Sequence, residues 1–144
     1  MSRVLEIEKF GVGNFTENQT KQKIEYIKKI MNARPPVPEQ PLISVVVPAY
    51  REEKYILATL RSLAEQTNIN CEFIIVSNGE PAGNSTQVIC EASGFKVVHD
   101  PQGGISRARQ TGLETAKGDI IVTTDADTLH HSAGFKLPTQ FFDQ

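Results

Sequence analysis

From Leu42 onward, short β-branched runs alternate with longer segments of helical periodicity, and this alternation leaves the chain few folds to choose from. Leu42 to Val47, Glu72 to Ser77, Phe95 to His99 and Asp119 to Thr124 read as buried strands. Between the first two, Glu53 to Gln66 sets Ile56, Leu57, Leu60, Leu63 and Ala64 on one face at helical spacing. Ser85 to Ala92 and Ile105 to Lys117 supply two further crossovers. Ser106 is placed to cap the start of the second, and Gly118 stands where a C-terminal cap glycine would end it. The order βαβαβαβ predicts an α/β fold: a parallel sheet with right-handed crossovers, helices on its faces and a ligand crevice above the carboxyl ends of the strands.

The first forty residues differ. Lys21, Lys23, Lys28 and Lys29 interleave with Ile24, Ile27, Ile30 and Met31 at roughly helical spacing, and the stretch ends in Arg34-Pro35-Pro36-Val37-Pro38-Glu39-Gln40-Pro41. Prolines cannot continue a helix and favour an extended spacer. The expected organisation is an extension over 1–40, with an amphipathic helix and a proline-rich linker, followed by a main domain over 41–144. The helix either docks on a membrane or partner, or lays its apolar stripe over the main domain; the second is the ordinary use of such a stripe.

With 144 residues there is room for one modest core, and a net charge of -2 does not provide the clustered basic surface that nucleic acid requires. Cys71 and Cys90 have no metal-type spacing and are too few for a disulfide framework, so buried reduced thiols are expected. Met1 to Glu8 carries acids where a signal peptide needs an apolar stretch, and no apolar run is long enough to span a membrane. The expected location is the cytoplasm or the cytoplasmic face of a membrane. The sequons at Asn14, Asn18 and Asn84 are then chance matches.

The chemistry lies in the loops. Asp125-Ala126-Asp127 closes the run that starts at Asp119, so two carboxylates follow a strand end, and carboxylate oxygens suit a hard divalent cation that also meets substrate phosphates. Pro48 to Glu53 follows the first strand and Asn78-Gly79-Glu80 the second; parallel strands bring all three loops to one rim. The first loop has neither the G-x-G-x-x-G of a dinucleotide site nor the phosphate cradle of a P-loop, which excludes both of those nucleotide-binding classes. His130 and His131 offer nitrogen ligands close to the aspartates, although adjacent side chains need not point the same way.

Taken in order, Ser44 to Glu53, Glu72 to Gly79, Gly103 to Gly112 and Ala116 to Asp127 resemble the family 2 glycosyltransferases of the GT-A fold. The resemblance covers about residues 42 to 130 and implies a GT-A donor-binding domain, incomplete after its DXD motif, that holds a UDP- or GDP-linked sugar. It places Pro48, Tyr50, Glu52 and Asn78 at the nucleoside end, and Arg107 and Arg109 at the diphosphate, where a guanidinium suits the charge. Asp125 and Asp127 match the DXD pair that takes Mn²⁺ or Mg²⁺, Asp127 as the direct ligand and Asp125 reaching the ribose or a metal-bound water. Ser77-Asn78 stands where the family has an aspartate pair, and an asparagine amide can still pair with a base edge without the charge.

The resemblance further implies inverting transfer to a glycan, lipid or protein hydroxyl. The carboxylate base would lie beyond residue 144, because Glu52 and Glu53 match donor-half positions and suit a helix start. On this expectation the chain is a fragment with a donor site and no catalytic residue assigned. Two other readings are a non-catalytic nucleotide-binding or partner-docking module, and a haloacid-dehalogenase-type phosphatase using Asp125-Ala126-Asp127-Thr128. The phosphatase motif belongs at the end of a first strand with further catalytic groups downstream.

Overall fold

A computed structural model describes residues 15–51, 55–67 and 70–124. The elements are α1 (Glu17–Ala33), β1 (Ile43–Ala49), α2 (Ile56–Ala64), β2 (Cys71–Asn78), α3 (Ser85–Ala92), β3 (Lys96–Asp100), α4 (Ile105–Thr115) and β4 (Ile120–Thr123). The four strands are all parallel, in the spatial order β3-β2-β1-β4. Three described strands precede β4, so β4 does not supply the first-strand position that the phosphatase reading needs.

Right-handed crossovers determine the layers. α2 and α3 step outward from β1 to β3 on one face, whereas α4 must return past β2 and β1 to reach β4 and so covers the other. Side-chain alternation agrees. Ile43, Val45, Val47 and Ala49 of β1 join Ile56, Leu57, Leu60 and Leu63 of α2 in the larger core. Val46 of β1, with Ile74 and Val76 of β2, packs instead under Ala108 of α4.

α1 belongs to the larger layer. Thr16 and Gln19 form a reciprocal capping box at its start, Ile27 is fully buried, and Ile24, Ile30 and Met31 pack against the same core. The lysine-flanked stripe therefore covers the main domain. Beyond the helix, Arg34 donates from Nη1 to Ala64 O (3.1 Å) and Gln66 O (2.6 Å), closing the carboxyl end of α2, and its guanidinium lies 5.3 Å from the Phe73 ring centre. Cys71 and Cys90 are buried as expected, and burial pushes both thiols up to about 12, so neither is a reactive thiolate at neutral pH.

Several boundaries differ from the sequence reading. β1 continues through Pro48 and Ala49, which the loop composition assigned outside the strand. Val46 O accepts the Thr124 N–H, so Ser44, Val46 and Pro48 turn their backbone groups toward β4. The next bond of the ladder would run from the N–H of residue 48 to Thr124 O, so Pro48, which has no N–H, stands where β1–β4 pairing stops at Thr123. β4 is not the buried strand expected: Ile121 is 37% exposed, because β4 is the edge of the described sheet and α4 sits over β1 and β2. The cap expectations also change. Gly104 is the N-cap of α4, which makes Ser106 an interior first-turn residue, and Ala116 is its C-cap.

Gly118 serves close approach instead of capping. A Cβ there would stand 2.6 Å from Ser44 Oγ, which accepts the Gly118 N–H at 2.7 Å. Ser44 Oγ in turn donates to Glu72 Oε2 (2.5 Å), which also takes the Lys117 N–H (2.6 Å). This network, centred on the buried Ser44 and Glu72, fastens the α4–β4 connection to the amino ends of β1 and β2.

Candidate functional site

The strand order reverses at β1: β2 and β3 lie to one side of it, and β4 to the other. Open α/β sheets leave a crevice beyond the carboxyl ends at such a point. Three segments described in the structure reach it, namely Pro48-Ala49-Tyr50-Arg51 from β1, Asn78-Gly79-Glu80 from β2, and the start of α4 at Gly104. Thr124 leaves the sheet at the same end, carrying the chain to Asp125 and Asp127, which lie outside the described residues together with Glu52, His130 and His131.

Asn78 is 6% exposed and donates its amide N–H to Gly104 O (3.3 Å), tying the end of β2 to the start of α4. Gly79 has φ +78°, a region that favours glycine, and the position of its absent Cβ lies 3.0 Å from Cδ1 and 3.1 Å from Cε1 of Tyr50. Only a glycine lets that ring edge settle on the backbone. Tyr50 is 45% exposed at the rim, and the Arg51 guanidinium lies over its ring, 5.1 Å from the centre. Pro48 is buried within β1 and supports the loop from below.

The two arginines of α4 separate. Arg107 and Thr111, one turn apart, face β3, where both meet Asp100. Arg107 Nε stands 3.2 Å from Asp100 Oδ1 and 3.0 Å from Oδ2, and Thr111 Oγ1 donates to Oδ2 at 2.9 Å. Arg109 is exposed and precedes Gly112 by three residues, so it shares the flank of α4 that lies on Val46 of β1, nearer the reversal point. The α4 N-terminus, with Gly104 making no side-chain cap bond, adds the positive end of a helix dipole.

Asp100 was not singled out from the sequence, since an aspartate before a proline ordinarily marks a turn. It is 4% exposed, and its carboxyl is held below the usual range first by the Gln102 N–H (3.0 Å), then by Thr111 and Arg107. A depressed carboxyl contributes stability above its unfolded value of about 3.9, and that contribution is lost as pH falls through the lower folded value. Acid titration of unfolding is therefore expected to show wild type losing more stability below about pH 4 than Asp100→Asn, which has no proton to take up. Parallel acid profiles would remove Asp100 from this role.

Among the described residues no group of three or more His, Cys, Asp or Glu side chains could hold a metal ion. The carboxylates that the sequence offers to a hard cation, Asp125 and Asp127, lie outside the described residues.

The model of "Glycosyl transferase family 2" matches residues 44–137. The chain belongs to glycosyl transferase family 2. Its curated relatives include the uncharacterized glycosyltransferase EpsJ of Bacillus subtilis, 35% identical over 107 residues, which are 72% of this chain and 31% of that protein. Undecaprenyl-phosphate 4-deoxy-4-formamido-L-arabinose transferase of Aeromonas hydrophila is 35% identical over 60% of this chain and 29% of its own. The chain thus spans about a third of the length of such relatives.

Solved structures give the same fold. Staphylococcus aureus TarS 1–349 in complex with UDP superposes with a TM-score of 0.60 at 27% identity, covering 71% of this chain and 32% of that one. The mannosyltransferase PcManGT of Pyrobaculum calidifontis, in complex with GDP-Man and Mn²⁺, gives 0.55 at 25% identity, with 77% and 36% covered. The parallel sheet with helices on both faces is the GT-A fold of these glycosyltransferases.

Proposed function

We propose that this chain is the donor-binding half of an inverting glycosyltransferase, taking a UDP- or GDP-linked sugar together with Mn²⁺ or Mg²⁺. One observation carries the reading: Tyr50, Asn78 and the α4 N-terminus converge beside the point at β1 where the strand order reverses, and the aspartate pair follows β4 directly in the sequence. The nucleoside lies at the rim that Asn78 and the Tyr50 loop form, with Pro48 and Glu52 shaping the β1 loop. Arg109 and the first turn of α4 face the diphosphate, and Arg107 supports the outer flank. A divalent cation held by Asp125 and Asp127 would neutralise charge on the departing diphosphate.

The known ligands of the neighbours support this assignment, since TarS has been solved with UDP and PcManGT with GDP-Man and Mn²⁺. The acceptor is a glycan, lipid or protein hydroxyl, and the base that activates it belongs to the acceptor half. No helix among the described residues is long and apolar enough to cross a membrane. Work in the cytoplasm or at the cytoplasmic face of a membrane accords with an undecaprenyl-phosphate substrate in the name of one relative.

Calorimetric titration with UDP and GDP, with and without Mn²⁺, tests the reading. Binding that appears or tightens at least about tenfold with metal, or about 1.4 kcal/mol, is the expected result. Absence of binding in every arm would leave a partner-docking module without a donor site.

A further inference from the structure

Arg51 is the one described residue other than glycine with a positive φ, at +51°. An arginine in the left-handed region is uncommon and strained, and such strain persists only where the surroundings impose it. Here they do. Its backbone N–H is donated to Glu80 Oε1 at 3.1 Å, bridging the β1 and β2 loops, and its guanidinium is laid over Tyr50, whose ring edge is seated against Gly79. The bend turns the side chain back onto the ring that precedes it, at an exposed point of the rim.

We infer that Arg51 is a binding residue for the nucleotide base, its guanidinium plane forming the layer between Tyr50 and the base. The inference rests on the donor-site reading above and adds a residue and a mode of recognition to it. A guanidinium is planar, weakly hydrated and stacks on π-faces, so a cation sandwiched between tyrosine and base gains from both. Stacking tolerates different bases, because every base offers a π-face. A lysine would not replace it, since an ammonium has no plane.

The test uses Arg51→Gly, Arg51→Asn and Arg51→Lys in the full chain, with UDP and uridine titrated by nuclear magnetic resonance in the presence of Mn²⁺ and thermal unfolding recorded alongside. Glycine and asparagine both accept the left-handed backbone, so these variants keep the loop while losing the plane. Expected are melting temperatures no lower than wild type for Arg51→Gly and Arg51→Asn, with UDP and uridine each bound about tenfold more weakly by all three variants. Unchanged or tighter binding by the variants, while wild type binds, would overturn the role of Arg51 and leave the donor site standing. A loss for UDP without one for uridine would make Arg51 a phosphate contact, also against the inference. Failure of wild type to bind UDP or uridine would remove the donor site, and this inference with it.

Discussion

Replacing Gly112 by alanine is expected to lower the unfolding free energy by about 2–3 kcal/mol and the melting temperature by roughly 10 °C. A Cβ at this position would lie 2.1 Å from Val46 Cγ1 and 3.0 Å from Cγ2, well inside any real contact. Val46 is fully buried in the middle of β1 between two neighbouring strands, so its branched side chain has little freedom to yield. Relief must come from α4, the helix that holds Arg107, Arg109 and the carbonyl to which Asn78 is bonded. Donor affinity should therefore fall with stability. Val46→Ala opens the space, and the double variant should be less destabilised than the sum of the two single changes. Additive losses in that cycle would show that α4 does not rest on Val46 as described.

The second large effect concerns metal. Asp127→Asn keeps the side-chain volume and removes the negative charge, and it should weaken Mn²⁺-dependent UDP binding by about 100-fold, at or beyond the upper end of losses seen for groups that merely support a ligand. Asp125→Asn should cost less, since that side chain is assigned to the ribose or a metal-bound water. Thermal stability should change little in either variant, because an aspartate-to-asparagine change keeps the side-chain volume and is made at residues assigned to the ligand. Metal-dependent binding that survives Asp127→Asn unaltered would place the cation elsewhere.

The strands, the crossovers and the extent of α3 were legible because β-branched runs and helical spacing are local signals. Spatial order was not. Nothing in the alternation distinguishes β3-β2-β1-β4 from a sheet that grows in one direction, and the reversal shows only in how α4 packs. Burial of β4 was overestimated because an apolar run reads the same at an edge as in the middle of a sheet. Gly118 and Ser106 were assigned to caps by residue type, yet the contact with Ser44 and the start of α4 at Ile105 decided otherwise.

The site was legible in part, for similar reasons. Tyr50, Asn78 and Arg109 follow from motif order, and the structure brings their elements to one rim. The pairing of Arg107 with Asp100 joins residues seven apart through a turn and a helix start, a geometry that carries no residue-type signature. The sequence gives Arg51 no role, because its left-handed backbone and its place over Tyr50 are three-dimensional facts.

Paramagnetic broadening of backbone amide signals by Mn²⁺ in the presence of UDP tests the central claim most directly. The account predicts broadening centred on the carboxyl-end rim, strongest near Thr124 and the first turn of α4 and present at Tyr50 and Gly79, with Lys96 and Lys117 at the opposite end of the sheet unaffected. Broadening centred on Lys96 and Lys117, or spread evenly over the domain, would contradict it.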